Sequence, residues 1–229
     1  MKKISTALLL TGLASAPGLA LAAEESPHTI TGNLTLVSDY QFRGVSQTDE
    51  DPAIQGGFDY AHKSGFYLGV WASNVEFGDA NSEWDVYGGY AGSVGDLGYN
   101  VGLLQYIYPD LGDANTLEAY AGITYKGFGL KASYTLSDEY FGFDDSDGTI
   151  YWDATYNYTF SNGWSLGLHY GYTAGEGDQE DYADWKVGLT VPVGKFNFGI
   201  AYVATDSDGE DFYGKWADDR FILSVGTTF

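Results

Sequence analysis

The 229-residue sequence has no cysteine and only ten Lys and Arg residues, against 32 Asp and Glu. Without cysteine the fold cannot use disulfides, so packing and hydrogen bonding must stabilise it. A formal net charge of −22 leaves no basic surface to neutralise phosphates, which argues against a nucleic-acid partner. Beyond the N-terminal region no apolar run reaches the roughly 18 residues of a membrane-spanning helix, which excludes a helical membrane protein.

The sequence is instead rich in aromatic residues and glycine. Aromatic residues make up 17% of the chain, and there are 32 glycines. Only 18% of residues are charged, so the acidic excess does not reflect the charge-rich composition of a disordered chain. The length suits one all-β domain or one barrel.

The first 22 residues have the pattern of a secretory signal peptide. Lys2 and Lys3 form a basic start, an apolar segment follows, and Ala20 to Ala22 provide a small-residue cleavage site. We therefore expect a cleaved signal peptide at residues 1–22 and a single barrel domain at residues 23–229. Export through a signal of this bacterial type places the protein beyond the inner membrane.

Apolar residues recur with a period of two along the rest of the chain, which is typical of β-strands. Between Ile150 and Phe160, for example, apolar side chains occupy every second position, and the turn at Asn162-Gly163 favours a tight hairpin. This pattern predicts twelve strands, at residues 30–43, 53–62, 66–74, 84–94, 97–108, 116–126, 128–137, 149–160, 164–173, 183–193, 196–205 and 220–229.

The connections between these strands alternate in length. Five are short turns, and six are long and polar, at residues 44–52, 75–83, 109–115, 138–148, 174–182 and 206–219. Most predicted strands are long enough to cross a bilayer when tilted. The pattern predicts a transmembrane up-and-down antiparallel β-barrel of about twelve strands, with short periplasmic turns and long acidic extracellular loops. The alternative, a soluble β-sandwich, usually has shorter strands.

Charge positions are consistent with a barrel in lipid, because no charged residue falls on the predicted outward face of any strand. That face ends in aromatic residues, as the two interfacial girdles of an outer-membrane barrel require. The predicted outward aromatic residues are Tyr40, Phe42, Tyr60, Phe66, Trp84, Tyr125, Phe128, Phe160, Trp164, Tyr172, Trp185, Phe196, Phe221 and Phe229.

The long loops hold most of the acidic residues and, among bases, only Lys215. Such a rim should attract cations, and divalent cations could link it to lipopolysaccharide phosphates. The alternative is that these are simply solvated loops. Asp145-Ser146-Asp147 and Asp206-Ser207-Asp208 resemble the middle of a calcium loop, but their first and last ligand positions do not fit. We therefore expect no resident metal and no cofactor.

Charged residues on the inward face give the candidate site. Twelve strands leave a lumen several ångströms wide once the inward side chains are counted. Seven residues fall in its outer third and are a candidate pore eyelet: Asp39, Arg43, Asp85, Glu118, Asp153, Lys186 and Arg220. The same residues could instead pair across the lumen and block it.

We thus expect a channel for passive diffusion of small polar solutes or ions, with a weak preference for cations. The second hypothesis is a non-conducting structural or adhesion barrel that acts through its acidic loops. Catalysis is not expected, because of the three histidines only His169 lies on the same face as a potential nucleophile, Ser165, and no oxyanion loop is evident. The last strand ends at Phe229, as in barrels recognised by the assembly machinery of the outer membrane.

Residues Thr35 to Val75 contain a characteristic set of elements: Val37-Ser38-Asp39-Tyr40, Phe42-Arg43-Gly44-Val45-Ser46, Pro52, Gln55-Gly56-Gly57 and Gly69-Val70-Trp71. In these elements the chain resembles the TorF family of porin-like proteins, also described as Gcw_chp outer-membrane proteins. The resemblance implies an outer-membrane barrel of proteobacterial type with a porin-like role. It supplies neither a substrate nor a binding motif.

Overall fold

Residues 26–229 are described by a computed structural model, so the predicted signal peptide at residues 1–22 lies outside the described residues. They form a closed antiparallel barrel of twelve strands. The barrel strands are β1 (His28–Val37), β4 (Ala53–His62), β5 (Phe66–Phe77), β6 (Ala80–Val94), β7 (Leu97–Ile107), β8 (Thr116–Tyr125), β9 (Phe128–Thr135), β10 (Ile150–Thr159), β11 (Ser165–Ala174), β12 (Tyr182–Val193), β13 (Phe196–Thr205) and β14 (Arg220–Thr228). A short hairpin, β2 (Gln41–Phe42) and β3 (Val45–Ser46), lies apart from this sheet.

Each strand pairs with its neighbours in the chain, and the barrel closes where β1 meets β14. Asn33 lies opposite Thr228 and Val37 lies opposite Ser224 across this seam. The other edge of β1 pairs with β4 over its whole length. The seam pairs residues 33–37 of β1 with β14 and so closes the sheet, as a sheet in lipid requires. The predicted twelve-stranded barrel is confirmed.

The outer surface of the barrel is apolar. Leu103 in the middle of β7 is 50% exposed, and Phe221 near one end of β14 is 69% exposed. In water such a surface would be unfavourable, whereas in a bilayer it contacts hydrocarbon. Many of the exposed aromatic side chains lie towards the strand ends, among them Phe66, Trp84, Tyr125, Phe128, Phe160, Trp164, Tyr172, Phe196, Phe221 and Phe229.

One end of the barrel carries the short turns and the other carries most of the longer loops; we call the latter the outer end. Its loops contain α1 (Ser207–Tyr213) and two 3-10 helices, Gly112–Ala114 and Gly214–Ala217. The side chain of Asp206 accepts a hydrogen bond from the amide of Gly209 and so caps the start of α1. No helix within residues 26–229 is long and apolar enough to cross a membrane.

The first predicted strand was too long. It was expected to run to residue 43, but β1 ends at Val37, and residues 38–52, here called loop 1, turn into the barrel. Tyr40 and Phe42 were therefore wrongly placed on the outward face: Tyr40 is buried, and the Phe42 ring packs edge-on against Tyr106 inside the barrel. The alternation continues through this segment although the sheet does not, because a period of two cannot show where pairing ends.

The second predicted loop was also wrong. Residues 75–83 were expected to form a long polar connection, but β5 and β6 extend through most of them and leave only Gly78 and Asp79 as the turn. Glu83 consequently lies within β6, where it is 1% exposed. The acidic residues around Glu83 favoured the prediction of a loop. Glu83 is two residues from Asp85, however, and in a strand this spacing places both side chains on the same face.

Candidate functional site in the outer half of the lumen

Loop 1 crosses the lumen from β1 to the far side of the barrel. Its tip residue Arg43 contacts Glu118 on β8, which lies across the barrel from β1 in the strand order. The carbonyl oxygen of Arg43 accepts a hydrogen bond from the Tyr182 hydroxyl on β12, at 3.0 Å. Loop 1 therefore bridges several walls of the barrel and lies across the outer half of its lumen.

The turn of loop 1 allows a close approach to the opposite wall. Arg43 and Gly44 have positive φ angles of 49° and 82°. A Cβ atom on Gly44 would lie 2.7 Å from the Cβ of Asp184 and 2.6 Å from a methyl of Thr205. Glycine at this position thus satisfies both the left-handed backbone and the lack of space.

The guanidinium of Arg43 is bound by a carboxylate and aromatic rings. One of its terminal nitrogens, Nη2, donates to both carboxylate oxygens of Glu118, at 2.7 and 2.9 Å. Nη1 donates to the Tyr140 hydroxyl, and Cζ lies 4.2 Å from the centre of the Tyr151 ring. Arg43 and Glu118 are both buried, so this charge pair forms within the packed part of the lumen.

A second ion pair fixes the base of loop 1. Asp39 accepts a hydrogen bond from Arg220 on β14 at 3.1 Å. The other oxygen of Asp39 accepts hydrogen bonds from the hydroxyls of Ser46 and Thr48, at 2.7 and 3.0 Å. Loop 1 is therefore held at its base by Asp39 and at its tip by Arg43.

A third cluster surrounds His169 on β11. Its Nδ1 lies 3.1 Å from Asp153 and its Nε2 lies 2.7 Å from Asp184. The Tyr151 hydroxyl donates to Asp184 at 2.9 Å, and the Lys131 ammonium lies 3.8 Å from Asp153. This cluster links β9, β10, β11 and β12 through charged side chains.

Two acidic residues of β6, Glu83 and Asp85, lie near the ion pair of Arg43 and Glu118. Neither forms an ion pair of its own among the described residues. Glu83 accepts hydrogen bonds from the hydroxyls of Tyr40 and Tyr108, at 2.9 and 2.8 Å. Asp85 is 8% exposed, and its Oδ1 has no hydrogen-bond partner within residues 26–229. A buried ionised carboxylate without a donor is costly, and Asp85 is the one acidic residue within residues 26–229 whose buried oxygen lacks a hydrogen-bond partner.

The loops after β9 and β13 pack around the tip of loop 1. Tyr140, in the loop after β9, packs edge-on against Phe141, and burial raises the pKa of Tyr140 to about 12. Tyr213 at the end of α1 packs against Tyr182, and burial raises its pKa as well. Both hydroxyls therefore stay protonated at neutral pH and can serve as hydrogen-bond donors.

The inner half of the lumen has a different lining. Its inward positions are mostly glycines and small polar residues, including Asn33, Gly57, Gly89, Asn100, Gly102, Gly129, Thr155, Asn157, Gly167, Gly188, Thr190, Asn197 and Gly199. Tyrosine side chains lie against several inward glycines, as Tyr87 does against Gly69. Tyr67 and Tyr87 are buried, so these rings pack against the wall and are not free to stack on a solute.

All seven predicted eyelet residues are at least partly buried on the inward side of the outer half. Two pairs form directly, Arg43 with Glu118 and Arg220 with Asp39, while Asp153 pairs with His169 and Lys131. Lys186 forms no ion pair within 4.0 Å among the described residues, and Asp85 forms none either. The eyelet remains a prediction. The same seven residues could line an open pore with a transverse field, or pair across the lumen and block it.

The predicted eyelet omits four residues of this region: Glu83, Tyr140, His169 and Asp184. Glu83 was assigned to the loop at residues 75–83, although it shares the parity of the inward residues of β6. Asp184 and His169 were expected on the inward face but were not included in the eyelet. Tyr140 lies in a loop, where periodicity has no meaning. The described residues contain no group of three or more His, Asp or Glu placed to hold a metal ion.

Comparison with known proteins identifies the class. The Gcw_chp family profile, described as a bacterial protein of unknown function, matches residues 21–229, so the chain belongs to this family. No curated protein matches the chain. Among solved structures, the KdgM porin has a TM-score of 0.59 at 9% identity, covering 87% of this chain and 99% of its own. The NanC porin has a TM-score of 0.56 at 12% identity, covering 88% and 99%.

These structures share the barrel fold with this chain. The family expected from residues 35–75 is confirmed by the family match. A closed barrel with an apolar outer surface and aromatic residues towards its strand ends implies a location in the outer membrane.

Proposed function

We propose that the protein is an outer-membrane channel for passive diffusion of small polar solutes or ions. The observation that carries this proposal is a closed twelve-stranded barrel whose inner half is lined by glycine, amide and hydroxyl groups rather than by a packed apolar core. The shared fold with the KdgM and NanC porins adds support. Loop 1 lies across the outer half, and we expect conduction to increase when it moves.

A weak preference for cations is part of the proposal. Carboxylates outnumber basic groups among the inward side chains of the barrel and loop 1. The acids are Asp39, Asp59, Glu83, Asp85, Glu118, Asp153 and Asp184, and the bases are Arg43, Lys131, Lys186 and Arg220, with His169 as a further titratable group. A lumen with excess negative charge favours cations over anions.

Recording from the purified barrel in planar bilayers tests the channel. We expect discrete conductance steps, and in a salt gradient a reversal potential shifted towards that of the cation. Absence of any channel above the background of protein-free bilayers would overturn the proposal. A reversal potential on the anion side would overturn only the selectivity.

A non-conducting barrel that acts in structure or adhesion is the second candidate. The observation that favours it is the packing of loop 1 across the lumen, with Arg43 and Glu118 both buried. Such a protein would work through its acidic outer loops. If shortening α1 and its flanking loop abolished surface attachment while bilayers stayed silent, this candidate would replace the channel.

We also propose that export uses cleavage after residue 22 and that assembly uses the last strand, ending at Phe229. N-terminal sequencing of the mature protein tests the first, and loss of insertion in a Phe229-truncated chain tests the second. Divalent cations would link the acidic loops to lipopolysaccharide phosphates. Equal thermal stability in lipopolysaccharide with Mg²⁺ and with chelator would argue against that link.

A further inference from the structure

We propose that Glu118, together with the rings of Tyr140 and Tyr151, is a binding site for the guanidinium or alkylammonium group of a solute, and that Arg43 occupies it as an intramolecular ligand in the closed barrel. This deepens the proposed channel function, on which it rests, by naming organic cations as the solute class. We call these three side chains the cation site.

The geometry of the cation site is that of a receptor for a planar cation. Glu118 receives two charge-assisted hydrogen bonds from Arg43, while the Tyr106 hydroxyl lies 3.4 Å from the same carboxylate. The Tyr151 ring lies under the guanidinium, with Cζ 4.2 Å from its centre. A carboxylate at the edge and an aromatic face beneath are the two features by which proteins bind organic cations.

Asp85 is a separate observation that points to an external cation. Its carboxylate is buried near Glu118 and Glu83, yet Oδ1 has no partner among the described residues. Arg43 is bonded to Glu118 and makes no hydrogen bond to Asp85. A guanidinium or ammonium group that entered this region would supply the donor that Oδ1 lacks, because buried polar groups are normally hydrogen-bonded.

Arg43 lies on a segment that is not part of the barrel sheet. The hairpin that carries it is paired to itself over two residues in each strand and lies outside the barrel sheet. Its contacts with β8, β10 and β12 are made by Arg43 and Gly44 at the tip. A solute with the same cationic group can therefore replace Arg43 without breaking any pairing of the barrel.

Competition with a tethered group sets the concentration needed. A group on a short flexible tether has an effective concentration on the order of millimolar, so a competing solute must reach at least that range. We therefore choose methylguanidinium as the probe and methylurea, its neutral analogue of the same shape, as the matched control. Sodium chloride at equal ionic strength controls for screening.

The absence of cysteine allows a direct measurement of loop 1 displacement. Val45 is buried next to the tip, so Val45→Cys introduces a single thiol that is shielded while loop 1 fills the lumen. Its rate of labelling by a polymer-linked maleimide is measured in the folded barrel. We expect methylguanidinium to raise this rate about fivefold or more, in the usual range of coupling between two binding events, and methylurea and sodium chloride to leave it unchanged.

Two further variants in the Val45→Cys chain define the site. With Glu118→Gln, labelling should be fast without any probe and should not respond to methylguanidinium. With Asp208→Asn, an exposed change in α1, the probe response should match that of Val45→Cys alone. Heat-dependent migration in gels confirms that each variant has a folded barrel.

The outcomes separate this proposal from the channel itself, because labelling does not require ion flow. An equal acceleration by methylguanidinium and sodium chloride would mean screening and would overturn the site, as would no acceleration at all. Persistence of the response in Glu118→Gln would also overturn it. A probe-dependent rate in a barrel that never conducts would leave the site in place and remove the channel.

Discussion

The outer and inner halves of the lumen share the same twelve strands but have opposite linings. The outer half contains buried carboxylates, arginine, lysine and tyrosine side chains, and loop 1 crosses it. The inner half presents mainly glycines, threonines and asparagines, with Tyr67 and Tyr87 packed onto the wall. The difference shows that strand number sets the backbone diameter, whereas side-chain volume and one inserted loop decide which part of a barrel is open.

The two halves also differ in what holds them together. In the outer half, charges link loop 1 to the walls, as in the pairs of Arg43 with Glu118 and Asp39 with Arg220. In the inner half, tyrosine rings occupy the space that glycines leave free. Ring packing also holds the outer half, where Tyr40 and Phe42 of loop 1 pack with Tyr106. Only the outer half, however, has charge pairs between loop 1 and the wall that can exchange partners, so we expect movement there.

The largest effect should come from releasing loop 1. In Asp39→Ala with Arg43→Ala both anchors are lost, and we expect a conductance several times that of the unaltered barrel, measured in planar bilayers. Asn157→Ala in the inner half is the control and should leave conductance unchanged. An equal effect of the inner variant would mean that the outer half is not the limiting region.

A smaller effect is expected from filling space in the inner half. A Cβ on Gly102 would lie 2.6 Å from the backbone oxygen of Gly88 and from the Tyr120 ring. Gly102→Ala should therefore lower the free energy of unfolding by about 1–3 kcal/mol. Urea unfolding in lipid vesicles, followed by tryptophan fluorescence, measures this change.

Gly112→Ala is the matched substitution at the outer end. A Cβ at Gly112 would have no atom within 4 Å, so the change should stay within about 0.5 kcal/mol. If both variants were equally stable, the close packing of tyrosine rings over glycines would not contribute to the stability of the inner half.

The smallest effect concerns the exposed rim of the outer half. Hydrogen bonds from Lys215 and Trp216 lower the pKa of Asp49. A carboxylate with a lowered pKa stabilises the folded state above its ordinary pKa, and this contribution is lost as pH falls through the lowered value. Asp49→Asn should thus slightly lower the melting temperature at pH 7 and have no effect in strong acid.

Asp51, which is exposed and forms no ion pair among the described residues, provides the control for this rim contact. Asp51→Asn should leave the melting temperature unchanged at both pH values. The Asp49 effect should also shrink in high salt, because exposed pairs are screened. A salt-independent effect would show that Asp49 acts through packing with Trp216 rather than through charge.

The barrel and most strand boundaries were predictable because lipid and lumen impose opposite polarity on alternate residues. For β4, β13 and the start of β7 the predicted and observed limits coincide. Boundaries failed where alternation continued beyond the sheet, as in loop 1, or where acidic residues suggested a loop, as at Glu83. In both cases the alternation of residues does not show whether a segment pairs with a neighbouring strand of the barrel.

The candidate site was only partly predictable. Arg43 and Glu118 were both expected on the inward face of the outer third, since charge is excluded from lipid. That they contact each other depends on the bend after Val37, which brings a segment adjacent to β1 across to β8. The contribution of Tyr140 arises from a loop, where no periodic pattern exists to predict it.

The sequence by itself determined that the chain forms an antiparallel barrel with an apolar outer face. Each strand must present apolar side chains to lipid on one face and polar side chains to the lumen on the other. Only the tertiary structure decided whether the lumen is filled and by which residues. Contacts such as Arg43 with Glu118 join positions 75 residues apart. They depend on how closure brings distant strands and one inserted loop together, which no local pattern encodes.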